Sequence, residues 1–247
     1  NQTKTIRTEL RNDRLPEWWV EYVRANETIR ADVRATVKAS AGFTAQHTFT
    51  RERTMLENET PMIDAMSAAA ASVEGQYPEA PTTLYEVRRG WATWGRANES
   101  ATVVDFHFRV HNPSPVPVPA RPDGLRATVA MNDVDVIQTQ GTEFSAERTG
   151  GDTLLQPGET REIVLSVRMD NAKIDDWFVS HVRDGERTAV SVDFQLAFEN
   201  PQTGGTIALP PGGISYSCRF RTGILVDDQS TATTCGSGGA AGASTTP

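Results

Sequence analysis

Apolar and polar side chains alternate with a period of two through the later two-thirds of the chain. Val104, Phe106, Phe108 and Val110 fall on one side of a strand pattern, and Asp105, His107, Arg109 and His111 on the other. The same alternation groups Ile163, Leu165, Val167 and Met169, and again Val190, Val192, Phe194, Leu196 and Phe198. Such a pattern predicts strands buried on one face only. A lone strand of this kind gains nothing, because ordering its backbone costs about as much as the burial returns. A second layer must cover it. One wet face per strand favours antiparallel sheets in a sandwich over a parallel sheet wrapped by helices.

Turn residues divide the strands. Asn132-Asp133 predicts a hairpin turn between strands at 127–131 and 134–137. Gln156-Pro157-Gly158-Glu159 predicts a turn before the Ile163 strand. Gly204-Gly205 and Gly212-Gly213 read as further turns between strands. The run Asn112-Pro113-Ser114-Pro115-Val116-Pro117-Val118-Pro119 reads as an edge or crossing segment, since proline brings no N–H to a ladder. One helix interrupts the pattern. Ile174, Phe178 and Val182 share a helical face, Asp175 and Asp176 sit at its positive end, and Gly185 supplies a left-handed stop. The helix is expected to plug one end of the sandwich with Trp177 or Phe178.

This helical block has an earlier copy. Asn12, Arg14, Leu15, Trp18, Trp19, Val20, Val23 and Arg24 are matched by Asn171, Lys173, Ile174, Trp177, Phe178, Val179, Val182 and Arg183. The offset is constant, 177 − 18 and 183 − 24 both being 159. Asn26 holds the position of Gly185 and is the next best residue for a left-handed cap. The second copy has a long strand region before it and the first has none. Residues 1–56 therefore read as the C-terminal half of a first module, and 83–227 as a complete second module. Residues 57–82 read as a linker, whose Ala-rich stretch at 62–71 suits a short helix. Residues 228–247 have a disordered-tail composition. The half-module, lacking a facing sheet, is expected to be less protected from hydrogen exchange than 83–227.

The stretch from Phe108 to Val118, with Asn112, Pro113, Pro115 and Pro117, resembles the strand-then-NPNP signature of the late-embryogenesis-abundant type 2 family, also called the water-stress and hypersensitive-response (WHy) domain. The block containing Asn171, Trp177, Phe178, Val182 and Arg183 is similar to tandem archaeal members, particularly those of halophiles. The resemblance implies an all-β, antiparallel sandwich related to immunoglobulin and fibronectin type III folds, with one short helix per module. It also implies a desiccation or osmotic-stress association, an N-terminal membrane anchor and no enzyme activity.

Charge and composition narrow the partners. Lys and Arg total 24 against 32 Asp and Glu, a net −8, so a nucleic-acid phosphate backbone is a poor match. Only Lys4, Lys38 and Lys173 are lysines; arginine dominance fits salt adaptation and high genomic GC content equally. No apolar run is long enough to span a membrane. The chain does not begin with Met, and an anchor is expected upstream. Sequons at Asn1, Asn26, Asn58 and Asn98 point to an extracytoplasmic location, where Cys218 and Cys235 would form one disulfide or stay free.

No catalytic constellation emerges. His107 and His111 share a strand face but lie about 13 Å apart, too far to hold one metal unaided. There is no G-x-S-x-G and no glycine-rich phosphate loop. Acidic pairs such as Asp175/Asp176 read as solvated or capping groups. Trp91 and Trp94, three apart, face opposite sides of a strand, which leaves one outside to touch a partner or sugar. No cofactor or metal is expected. The sequence reads as a non-catalytic, stress-associated sandwich protein at an archaeal cell surface that protects or binds an envelope or protein partner. The alternative is an envelope adhesion or scaffold module.

Overall fold

The alternating segments fold as two facing antiparallel sheets. The computed structural model describes residues 14–40, 44–57, 59–79, 82–141, 145–147, 153–200, 203–225 and 229–237. The chain runs α1 (Leu15–Arg24), β1 (Ile29–Ser40), β2 (Thr44–Met55), α2 (Pro61–Ala71), β3 (Gly75–Glu79), β4 (Thr82–Ala97), β5 (Ala101–His111), β6 (Val118–Pro119) and β7 (Gly124–Met131). It continues through β8 (Val134–Gly141), β9 (Ser145–Glu147), β10 (Leu154–Leu155), β11 (Thr160–Asp170), α3 (Ile174–Arg183), β12 (Arg187–Glu199), β13 (Thr206–Arg221) and β14 (Ala232–Ser237). One sheet has the order β3-β4-β5-β11-β9 and the other β14-β13-β12-β7-β8. This is the all-β sandwich that the alternation requires.

The predicted faces are the buried ones. Val104, Phe106, Phe108 and Val110 of β5 point inward beside Leu165 and Val167 of β11. From the other sheet Phe194 meets Phe106 and Phe108, with ring centroids 6.1 and 5.5 Å apart. Asn132 and Asp133 have φ of 48° and 63°, the two left-handed residues of a tight hairpin turn. Gly212 and Gly213 do not separate strands. They lie inside β13 with φ of 79° and 76°, near where the ladder with β12 shifts register between Phe194 and Leu196. That is a bulge, and only glycine adopts its backbone without strain.

Two segments expected to lie outside the sandwich pack against it. In the 57–82 stretch, α2 buries Met62, Ile63, Ala65, Met66, Ala69 and Ala70, so this stretch is no spacer. It approaches β4 so closely that a Cβ on Gly90 would sit 2.1 Å from the Ala70 carbonyl oxygen. Within the tail, Ala232–Ser237 forms β14, which pairs with β13 in a register that sets Cys218 opposite Cys235. Those cysteines are disulfide-bonded. The crosslink holds a segment whose Thr, Ser and Gly side chains supply no apolar anchor.

One continuous apolar cluster includes Trp19 of α1, Met66 of α2 and the sandwich interior. The half-module thus splits in two. Its helix is built into the core, whereas β1 and β2 pair with each other and, among the described residues, with no other strand. No helix among the described residues is long and apolar enough to cross a membrane. Asn1 and Asn58 lie outside the described residues.

Candidate functional site

The signature residues form a corner where β5 leaves its sheet. Asn112 is fully buried and its side chain is saturated. Its Nδ2 donates to the carbonyls of Val116 and Leu155, at 2.8 and 2.9 Å. Its Oδ1 accepts from the Ser114 backbone N–H and hydroxyl, at 2.9 and 2.6 Å. Pro113, Pro115 and Pro117 are exposed; they fix φ and add no donors that would compete. Asn171 is also buried, and its Nδ2 donates to the Asn98 carbonyl at 2.7 Å.

The two helical copies meet crosswise. Trp18 packs on Phe178 at 5.1 Å and Trp19 on Trp177 at 5.8 Å. Since Trp18 corresponds to Trp177 and Trp19 to Phe178, each copy offers the other the same pair, as in a twofold contact. Trp94 closes the cluster edge-on against Trp19 at 5.8 Å. The buried face of α3 is Ile174, Trp177, Phe178 and His181. Val182 is 36% exposed, not on that face as its apolar character predicted, and Arg183 is exposed. His181 turns inward because both ring nitrogens find partners there.

Those partners belong to a buried relay. Trp177 Nε1 donates to Thr188 Oγ1, which lies 2.8 Å from His181 Nδ1. His181 Nε2 lies 3.0 Å from Thr222 Oγ1, which donates to Glu186 at 2.8 Å. An indole N–H only donates and a carboxylate only accepts. Thr222 spends its proton on Glu186, so His181 carries its own proton on Nε2 and accepts from Thr188 at Nδ1. Burial pushes the His181 pKa down to about 4. Glu186 also accepts from the backbone N–H groups of Ile224 and Leu225.

Glu27 is the equivalent in the first copy. It accepts from Met62 N–H at 2.9 Å and Ile63 N–H at 2.8 Å, the opening donors of α2. The Tyr22 hydroxyl and Trp94 indole donate to it at 3.0 Å each. Thr60 makes no side-chain cap to α2, so Glu27 caps that helix from outside. Burial raises its pKa to about 6 against the pull of these donors. Sequence reading passed over both glutamates, although each follows the left-handed cap of its helix in the repeat register.

The outer face of the β4-β5-β11 sheet carries the half-buried Trp91. Trp91 stacks on His107 with centroids 4.9 Å apart, and the Arg89 guanidinium lies 4.8 Å from the Trp91 ring. His107 is held by Glu162 and Thr93, at 2.9 Å each. His111 bonds instead to the Glu159 carbonyl and Thr160, so the two histidines have separate partners. Among the described residues no group of three His, Cys, Asp or Glu is placed to hold a metal. Asn26 is exposed with φ of 50°, the expected left-handed cap. Asn98 is exposed, and its Oδ1 accepts from Ser100 and Ala101 in a tight turn.

No family model and no curated protein matches the chain. Two solved structures are similar to part of it. The crystal structure of a protein from Archaeoglobus fulgidus has 21% identity and a TM-score of 0.45, over 57% of this chain and 100% of that one. The solution structure of AT1g01470 from Arabidopsis thaliana has 11% identity and a TM-score of 0.38, over 62% of this chain and 94% of that one.

Proposed function

We propose that this chain is a non-catalytic sandwich protein of the WHy type that acts outside the cytoplasm by binding and shielding an envelope or protein partner under water stress. The carrying observation is where the buried polar chemistry is spent. Asn112, His181, Glu27 and Glu186 give their hydrogen-bonding capacity to the fold itself. The chemistry left for a partner sits on broad sheet faces, which suit docking more than turnover. The Cys218–Cys235 disulfide supports an oxidising compartment, as the sequons do. A net charge of −8 keeps the surface hydrated and soluble when water is scarce.

The test is survival of drying and salt shift in a strain deleted for the protein. Reduced survival supports the reading. Unchanged survival together with loss of one specific surface partner favours the adhesion or scaffold role, for which the β1–β2 ribbon, with no neighbouring strand among the described residues, offers edges for docking. Saturable turnover of any substrate by the purified chain overturns both.

A further inference from the structure

One end of the outer face of the β14-β13-β12 sheet is basic although the chain as a whole is acidic, Asp193 and Glu199 lying farther along β12. Arg187 and Arg221 are direct cross-strand partners on β12 and β13. Residues opposite each other project to the same face, about 5 Å apart at Cα. Arg219 lies two residues along β13, about 7 Å away on that face. Arg183 joins them from the end of α3, across open grooves of about 640 and 770 Å³ that share Arg219 and Ala189. All four arginines are exposed. Arg187 bonds to the Asp184 carbonyl and Arg221 to Ser230, both neutral acceptors. Among the described residues none of the four forms an ion pair. Like charges set opposite each other in a ladder are destabilising unless an anion lies between them.

We propose that this face binds an extended acidic polypeptide segment, which names a partner class for the binding role above and rests on it. Guanidinium forks match carboxylates bidentately. Same-side carboxylates of an extended chain recur about every 7 Å, the spacing of Arg219 and Arg221. Asp133 and Asp184 line the same groove and, with the net −8, repel a dense polyanion such as nucleic acid while leaving room for a short segment. Ala189, Ala232 and Gly236 line the grooves with small side chains, and the one ring there, Phe220, is buried at 3% exposure and leaves little face for a sugar.

The experiment titrates a labelled octaglutamate peptide into the full chain at low salt and reads fluorescence anisotropy. Saturable binding is expected. It should weaken about tenfold or more in R187Q/R221Q, weaken with added salt, and persist in R168Q, which alters an exposed arginine of β11. R221Q alone should raise the thermal midpoint at low salt, because it removes the like-charge pair. Absence of saturable binding, equal loss in R168Q, tighter binding of polyphosphate through the same arginines, or a wild-type dimer abolished by R187Q/R221Q would overturn the assignment. Failure here removes the acidic partner and leaves the survival test standing. A positive titration with unchanged drying survival keeps the site and removes the stress role.

Discussion

Glu27 and Glu186 hold the same post in the two copies of the repeat, 186 − 27 being again 159 residues. Each is buried, at 0% and 1% exposure, and each is left-handed, with φ of 64° and 57°. A non-glycine residue held there costs on the order of 1–3 kcal/mol. Two consecutive backbone N–H groups donate to each carboxylate and offset that cost: Met62 and Ile63 to one, Ile224 and Leu225 to the other. The copies differ in one partner. Tyr22 stands where the second copy has His181, and its longer side chain reaches Glu27 directly, whereas His181 works through Thr222.

Glu27→Gln keeps the size of the side chain and turns an N–H₂ toward donors at the start of α2. At least one buried N–H loses its acceptor. The expected loss is about 3 kcal/mol of unfolding free energy, read from guanidinium denaturation at pH 7. Glu186→Gln should cost a similar amount; a neutral result at both would refute the clamp.

Acid acts on the two copies in opposite directions. His181 has a folded pKa of about 4 against 6.5, so the unfolded chain takes up the proton first. Stability is lost as pH falls from about 6.5 to about 4, up to about 3 kcal/mol. Glu27 is raised from 4.5 to about 6. Its contribution is fully present below 4.5 and is lost as pH rises through about 6, roughly 2 kcal/mol. The two cancel between about pH 6 and 4.5. Compared with wild type, Glu27→Gln should therefore lose stability more steeply on acidification. His181→Gln should gain stability relative to wild type over the same window. Denaturation curves at pH 7, 6, 5 and 4.5 give the slopes.

The Cys218–Cys235 bond closes a loop with a sequence separation of 17. Reduction, or Cys235→Ser, should lower stability by about 3 kcal/mol and expose β14 to proteolysis. Thermal melts with and without reductant check this, and an unchanged midpoint would show that β14 contributes nothing.

Asn112→Ala strands two carbonyls and the Ser114 donors inside the corner. A loss of about 2–4 kcal/mol is expected. Pro115→Ala, at an exposed position, should stay within about 1 kcal/mol of wild type. Parallel urea titrations separate a fold-holding corner from a tolerant one.

The sandwich was legible because alternation is a direct image of burial: β5, β11 and β12 lie where their periods put them. The Asn26 and Gly185 caps were legible because few residues tolerate a left-handed backbone. The α2 helix was legible in its Ala-rich run, but its place in the core was not, since a helix buried on nearly all sides shows no amphipathic stripe. The strand β14 was hidden for a different reason. It is held by a ladder with β13 and by the Cys218–Cys235 bond, and the sequence left open whether those two cysteines join or stay free. Val182 looked like core, and the buried role of His181 was not foreseen, because hydropathy sees a side chain but not Thr188 and Thr222 waiting for the His181 ring nitrogens. Glu27 and Glu186 were passed over on the same ground, although the repeat had already set them in register.

The central claim is that both helical copies and α2 belong to one core, with only the β1–β2 ribbon standing apart. Native-state hydrogen exchange, resolved by residue, tests it most directly. Amides in the last turn of α1 and in α2 should exchange only with global unfolding, at the free energy found for β5 and β12, while mid-strand amides of β1 and β2 open at lower cost. Exchange of α1 and α2 together with the ribbon, well below the global value, would contradict the single core.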